Sequence, residues 1–168
     1  MEVYLVRHAI AYPRDPESAR MDSARELTPA GITKFRQTIP AYIKLGVAPD
    51  EVWSSPYART LQTAELLCSG LGLGQPPRLM PELEPDGNME RLIPALELVS
   101  DRRAIALVSH EPALGELAGM LLTGRRISLV EFKKGGAACI GVQRLSAKPE
   151  SVLKWLLTPK QLRSIGRS

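Results

Sequence analysis

The chain opens with four apolar residues in a row, Val3 to Val6, and meets Arg7-His8 straight after them. An unbroken run of this length suits a strand covered on both faces, as in a parallel sheet. The polar stretch from Pro13 to Glu26 reads as a loop. Thr28-Pro29 is then a helix start, a capping side chain followed by proline at the first helical position. Ile32, Phe35, Ile39 and Ile43 keep near-helical spacing towards Leu45, and Pro40 is expected to kink the helix or end it early. Glu51 to Ser54 is a second short strand. Ser55-Pro56 repeats the capping signal, and Ala58, Leu61, Ala64, Leu67 and Leu71 follow as one apolar helical face that Gly70 and Gly72 close.

Pro76 to Asn88 is rich in proline and turn residues, with a short extended piece near Leu79 to Leu83. A helix is expected over Met89 to Val99. Ala104 to Ser109 is the third buried strand, and the helix after Pro112 turns Leu114, Leu117, Leu121 and Leu122 inward. Ala137 to Leu145 and Val152 to Leu157 read as a closing hairpin. Strand followed by helix, repeated along the chain, argues for an α/β domain with a mainly parallel sheet. A length of 168 residues suits a single domain over residues 1–168.

Composition changes this picture little. Lys and Arg number 22 against 18 Asp and Glu, a net charge of +4, which fits a site for anions. No aromatic residues interleave with the basic pairs Arg102-Arg103, Arg125-Arg126 and Lys133-Lys134, so a nucleic-acid stacking surface is not expected. The longest apolar runs are far short of the roughly 20 residues that cross a bilayer. Arg7-His8 come too early for a signal peptide. Cys68 and Cys139 lie far apart without paired spacing, which suits reduced thiols in a cytoplasmic protein.

The chemistry gathers at strand ends. Only two histidines occur, His8 and His110, and each follows an apolar strand at its carboxyl end. Ligands collect there in open α/β sheets. Arg7 adjoins the first. Arg59 lies in the opening turn of the helix after the second strand, where the helix dipole and a planar guanidinium both favour an anion. Two histidines without a cysteine cluster make a zinc site an unlikely design, and no metal is expected.

Four segments carry a family resemblance. Leu5-Val6-Arg7-His8-Ala9, Leu27-Thr28-Pro29-Ala30-Gly31, the stretch from Ser54 to Ala64, and Val108-Ser109-His110-Glu111-Pro112 stand in the order of the histidine phosphatase superfamily, also called phosphoglycerate-mutase-like. The short length and the Arg-His-Ala start are most similar to the SixA-type phosphohistidine phosphatases. The resemblance implies a three-layer sandwich around a mainly parallel sheet. It implies a metal-independent, cofactor-free phosphatase in which His8 is the nucleophile and Arg7, Arg59 and His110 hold the phosphoryl group. Arg25, just before Leu27-Thr28, is a further phosphate contact or a surface residue. Glu82 stands where the family places its general acid, with Glu84 and Asp86 as competitors.

The segment from Pro85 to Asn88 is too short for the helical lid of many sugar-phosphate members. The expected substrate is therefore phosphohistidine on a protein, such as a phosphotransfer domain, with no nucleic acid or membrane involved. A small phosphate ester is the alternative substrate. A phosphate-binding module without turnover is the alternative of another class, which the intact Arg7, His8, Arg59 and His110 set argues against.

Overall fold

The computed structural model describes residues 1–14 and 21–168. Part of the expected Pro13 to Glu26 loop therefore lies outside the described residues. Six strands form one sheet: β1 (Glu2–Arg7), β2 (Glu51–Ser54), β3 (Arg78–Leu79), β4 (Ala104–Ser109), β5 (Ala137–Arg144) and β6 (Glu150–Leu157). Their spatial order is β3-β2-β4-β1-β5-β6. The pairs β3-β2, β2-β4 and β4-β1 are parallel, whereas β5 runs antiparallel to both β1 and β6. The two strands with the cleanest apolar runs, β1 and β4, lie side by side in the middle, where both faces are covered.

Alternation along the strands sends side chains to two cores. Tyr4, Val6, Val52, Ala106 and Val108 pack on one face with α1 (Pro29–Arg36), α2 (Ile39–Lys44), α3 (Ala58–Leu71) and α6 (Pro159–Arg167). Val3, Leu5, Trp53, Ile105 and Leu107 pack on the other with α4 (Met89–Glu97) and α5 (Ala113–Thr123). The result is the expected three-layer α/β sandwich. Among the described residues no helix is long and apolar enough to cross a membrane.

Several expectations are corrected. The helix expected from Thr28 towards Leu45 is two helices, because Thr38 turns its hydroxyl onto the Phe35 carbonyl at 2.6 Å and Pro40 opens α2. The helix after Ser55-Pro56 starts two residues later than the capping signal, with Tyr57 at the cap and no side-chain cap bond. Its buried stripe is Arg59, Thr60, Thr63, Ala64, Leu67 and Cys68, displaced from the apolar one because three polar side chains turn inward. The piece near Leu79 to Leu83 is extended only over Arg78–Leu79, and Pro81–Leu83 is a 3-10 turn. Helix α6 was not expected, although Thr158-Pro159 with Gln161 makes a complete capping box. Cys68 and Cys139 are buried free thiols.

Gly31 shows why one motif needs its glycine. A Cβ there would sit 2.1 Å from the Ile10 carbonyl oxygen. The Thr28 side chain caps α1 by accepting from the Gly31 amide at 2.9 Å, while the Thr28 amide donates to that same Ile10 carbonyl at 3.0 Å. Helix α1 is thereby clamped against the segment leaving β1.

Candidate active site

The site lies where three strands end. Arg7 is in register with Ser109, and Ser54 with Val108, so His8, His110 and Ser55 are the next residues out of neighbouring strands. The His8 amide donates to the Ser109 carbonyl and the Ser55 amide to the Val108 carbonyl, each at 3.1 Å, extending the ladder one step further. His8 and His110 are both buried, with ring centroids 5.3 Å apart.

One bond defines the state of His8. Its Nδ1 lies 2.7 Å from the Ala9 carbonyl oxygen. A carbonyl only accepts, so Nδ1 carries the hydrogen and the neutral ring keeps its lone pair on Nε2. Burial holds the ring neutral, pushing its pKa down to about 4. The Ala9 bond opposes that shift, while the charges of Arg59, Arg7 and Arg25 add to it. At neutral pH this is a base with one nitrogen open to an electrophile.

His110 complements it. Its Nε2 lies 3.0 Å from Ser55 Oγ, and that oxygen also accepts from the Tyr57 amide at 3.3 Å. With the hydroxyl donating to Nε2, the neutral ring carries its hydrogen on Nδ1. Nδ1 is buried and has no partner among the described residues. Burial, and then the Arg59 charge, lower the His110 pKa to about 2. The Tyr57 ring meets His110 edge-on at 5.1 Å and carries the Arg59 guanidinium 4.9 Å above its centroid.

The two arginines share a feature. Arg7 donates from Nη1 to the Phe132 carbonyl, and its Nε is buried without a partner among the described residues. Arg59 donates from Nη1 to the Asp22 carbonyl at 2.9 Å and from Nη2 to Asp22 Oδ2 at 3.0 Å. Its Nε is likewise buried and unpartnered. Asp22 thus holds the outer end of the Arg59 fork and leaves the Nε edge open, the edge that pairs side-on with an oxyanion. Each buried donor without a partner costs roughly 1–3 kcal/mol. Arg7, Arg59 and His110 each carry one, and an anion among them would relieve all three.

The polar stripe of α3 ties this edge together. Thr63 Oγ1 accepts from the Ala9 amide at 3.0 Å and donates to the Arg59 carbonyl at 2.6 Å. Gln62 accepts from the Leu27 amide at 2.8 Å. On the other side, Glu111 Oε1 accepts from the Phe132 amide at 2.7 Å and so helps position the residue whose carbonyl holds Arg7.

Of the residues singled out from sequence, Arg7, His8, Arg59 and His110 are brought together. Arg25 joins them through Asp22, which its Nε and Nη2 both meet at 3.0 Å. Glu82 sits half-buried in the Pro81–Leu83 turn, which Ser109 anchors by donating to the Leu83 carbonyl at 2.6 Å. Among the described residues, Glu82 makes no hydrogen bond or ion pair to the cluster. The charges of Glu84 and Asp86 do act on Tyr57, where both help burial raise its pKa. Sequence reasoning missed Asp22, Ser55, Tyr57 and Glu111. Ser55, Tyr57 and Glu111 stood inside quoted motifs, but Asp22 carried no signal of its own. Among the described residues no three His, Cys, Asp or Glu side chains form a metal-ligand group.

The histidine phosphatase superfamily (branch 1) model matches residues 3–92. An uncharacterized protein of Picosynechococcus sp. is 31% identical over 166 residues, covering 96% of this chain and 99% of its own length. The phosphohistidine phosphatase SixA of Escherichia coli strain K12 is 26% identical, with 97% of each chain covered. The structure of the protein histidine phosphatase SixA complexed with tungstate superposes with a TM-score of 0.83, at 26% identity, over 96% of this chain and 99% of that one. The alpha-ribazole phosphatase of Shigella flexneri shares the fold, with a TM-score of 0.76 at 17% identity over 95% and 97% of the two chains.

Proposed function

The chain belongs to the histidine phosphatase superfamily, and on that premise we propose that it is a phosphatase whose substrate is phosphohistidine carried on a protein. The observation that carries this reading is the set of buried, unpartnered donors on Arg7, Arg59 and His110 gathered around a neutral His8 with its Nε2 lone pair open. In the proposed reaction Nε2 attacks phosphorus and the phosphorus–nitrogen bond to the substrate imidazole breaks. The substrate ring carries a proton on its other nitrogen, so it takes the electron pair of the broken bond and departs as neutral imidazole. Water then attacks phospho-His8, the Nε2–phosphorus bond breaks, and inorganic phosphate departs. Arg7, Arg59 and His110, with Arg25 behind them, hold the phosphoryl oxygens as charge develops, the role that dominates catalysis in phosphoryl transfer. The arginine cations take the part a metal would otherwise play, so activity is expected to survive chelation.

Two features favour the protein-borne substrate over a small ester. The passage from the Pro81–Leu83 turn to α4 is only Glu84 to Asn88, leaving no helical lid to grip a small molecule. Similarity to the phosphohistidine phosphatase SixA also extends over nearly the whole of both chains. A small ester is the second reading, favoured by Glu84 and Asp86 beside Tyr57, either of which would protonate an alkoxide leaving group. An imidazole has less need of an acid. The deciding experiment compares hydrolysis of a phosphorylated histidine-containing phosphotransfer domain with a panel of phosphate esters, repeated with Glu82→Gln, Glu84→Gln and Asp86→Asn. The phosphohistidine reading expects turnover of the domain, and one substitution that slows alkyl esters much more than phosphohistidine. Turnover of one small ester at a kcat/KM of about 10⁴ M⁻¹s⁻¹ or more, with the domain ignored, would establish the second reading instead.

A further inference from the structure

A second cationic feature lies beside the site and takes no part in the chemistry above. A hollow of about 120 Å³ is lined by Ala9, Ile10, Gly31 and Phe35 together with Lys34, Lys134 and Arg163. The three cations come from three distant parts of the chain: α1, the segment before β5, and α6. Among the described residues no carboxylate lines the hollow, and none of the three cations forms an ion pair. Bringing like charges together without a counter-ion disfavours the folded chain, so the arrangement suits an anion supplied from outside.

The floor of the hollow adjoins the nucleophile along the backbone. Ala9 follows His8 directly, and the Gly135 amide donates to the carbonyls of Arg7 at 3.2 Å and His8 at 3.0 Å. Gly135 has a φ of +80°, so its backbone reaches this position in a conformation other residues rarely adopt.

We infer that this hollow receives an aspartate or glutamate side chain of the phosphorylated partner protein, displayed next to its phosphohistidine. The inference rests on the protein-phosphohistidine reading and adds the partner's chemistry to it: an acidic face around the phosphorylated residue. Charge complementarity of this kind acts mainly on encounter and register, and so on kcat/KM.

The test uses Lys34→Glu, Lys134→Glu and Arg163→Glu, singly and combined, with the neutral Gln variants as a second series should the triple variant fold poorly. Two substrates are compared: a phosphorylated histidine-containing phosphotransfer domain chosen to carry acidic residues beside its phosphohistidine, and free phosphohistidine. The expected result is a fall of about tenfold or more in kcat/KM for the domain, a weaker salt dependence, and no change for free phosphohistidine. Neutralising the partner's acidic residues should abolish the difference between wild type and variants. Unchanged kcat/KM for the domain in every variant would overturn the docking inference and leave the phosphatase reading standing. Loss confined to a small ester with a second anionic group would make the hollow a metabolite subsite and overturn it too. A wild-type protein that hydrolyses neither phosphohistidine substrate would overturn the underlying reading and this inference with it.

Discussion

The two edges of the sheet treat charge in opposite ways. At the amino edge several charged groups are paired, although the Ser151 hydroxyl is buried there without a partner among the described residues. Asp50 Oδ2 accepts from the Arg103 amide at 2.8 Å and the Ala104 amide at 3.1 Å. Glu51 pairs with Trp53 Nε1 at 2.9 Å and with Arg102 at 3.6 Å. Glu2 meets Tyr4 and Lys154, Arg144 meets Glu150, and the terminal ammonium donates to the Val142 carbonyl at 2.8 Å. At the carboxyl edge, Arg7, Arg59 and His110 each keep a buried donor without a partner among the described residues. Both edges are made of the same strands, so topology alone does not explain the contrast. The amino edge closes the fold, while the carboxyl edge holds donors at a cost that an anion would relieve.

The contrast breaks first if donors at the carboxyl edge are removed. Arg59→Ala and His110→Ala should each lower kcat by about 10²- to 10³-fold, since one lost transition-state donor costs roughly 2.7–4 kcal/mol. Steady-state rates on the phosphotransfer domain measure this, and a loss below about threefold would contradict the assignment of either donor.

Acid is the next probe. His8 is depressed from 6.5 to about 4, so the unprotonated nucleophile persists well below neutral pH, and the acid limb of kcat/KM should fall near pH 4 rather than near 6.5. The same shift bears on stability. Above about pH 6.5 His8 is neutral in both folded and unfolded chains, and its contribution is at its full value. Between there and about pH 4 only the unfolded chain takes up the proton, so stability falls as pH falls through that window. Denaturant midpoints from pH 7 to 4 should show the fall, and it should be smaller in His8→Ala. The smallest effect belongs to the amino edge. Arg144→Ala removes an exposed ion pair and should change stability by no more than about 1 kcal/mol, with activity unaltered.

Much of the site was legible because it follows from strand ends. Val3 to Val6 and Ala104 to Val108 are apolar enough to be read as central strands, and each delivers a histidine at its carboxyl end. What escaped was whatever depends on a partner rather than on a residue type. Ser55 has the sequence signature of a helix cap, yet its hydroxyl serves His110. Thr60 and Thr63 look solvent-facing by hydropathy, yet they are buried because their hydroxyls find backbone carbonyls at 2.7 Å and 2.6 Å within α3 and its cap. Asp22 holds Arg59 from 37 residues away, a pairing that no local pattern encodes. Helix α6 was missed for a different reason: its capping box was in plain view, but its polar composition left only Leu162 fully buried to mark an inner face.

The central claim is that His8 carries the phosphoryl group between substrate and water. The direct measurement is rapid quenching of the protein after brief exposure to a radiophosphorylated phosphotransfer domain, followed by mapping of the label. The account predicts label on His8, labile in acid and stable in alkali, absent from His8→Ala, which should fold normally and turn over no substrate. Label on another residue, or near-wild-type turnover by His8→Ala, would contradict it.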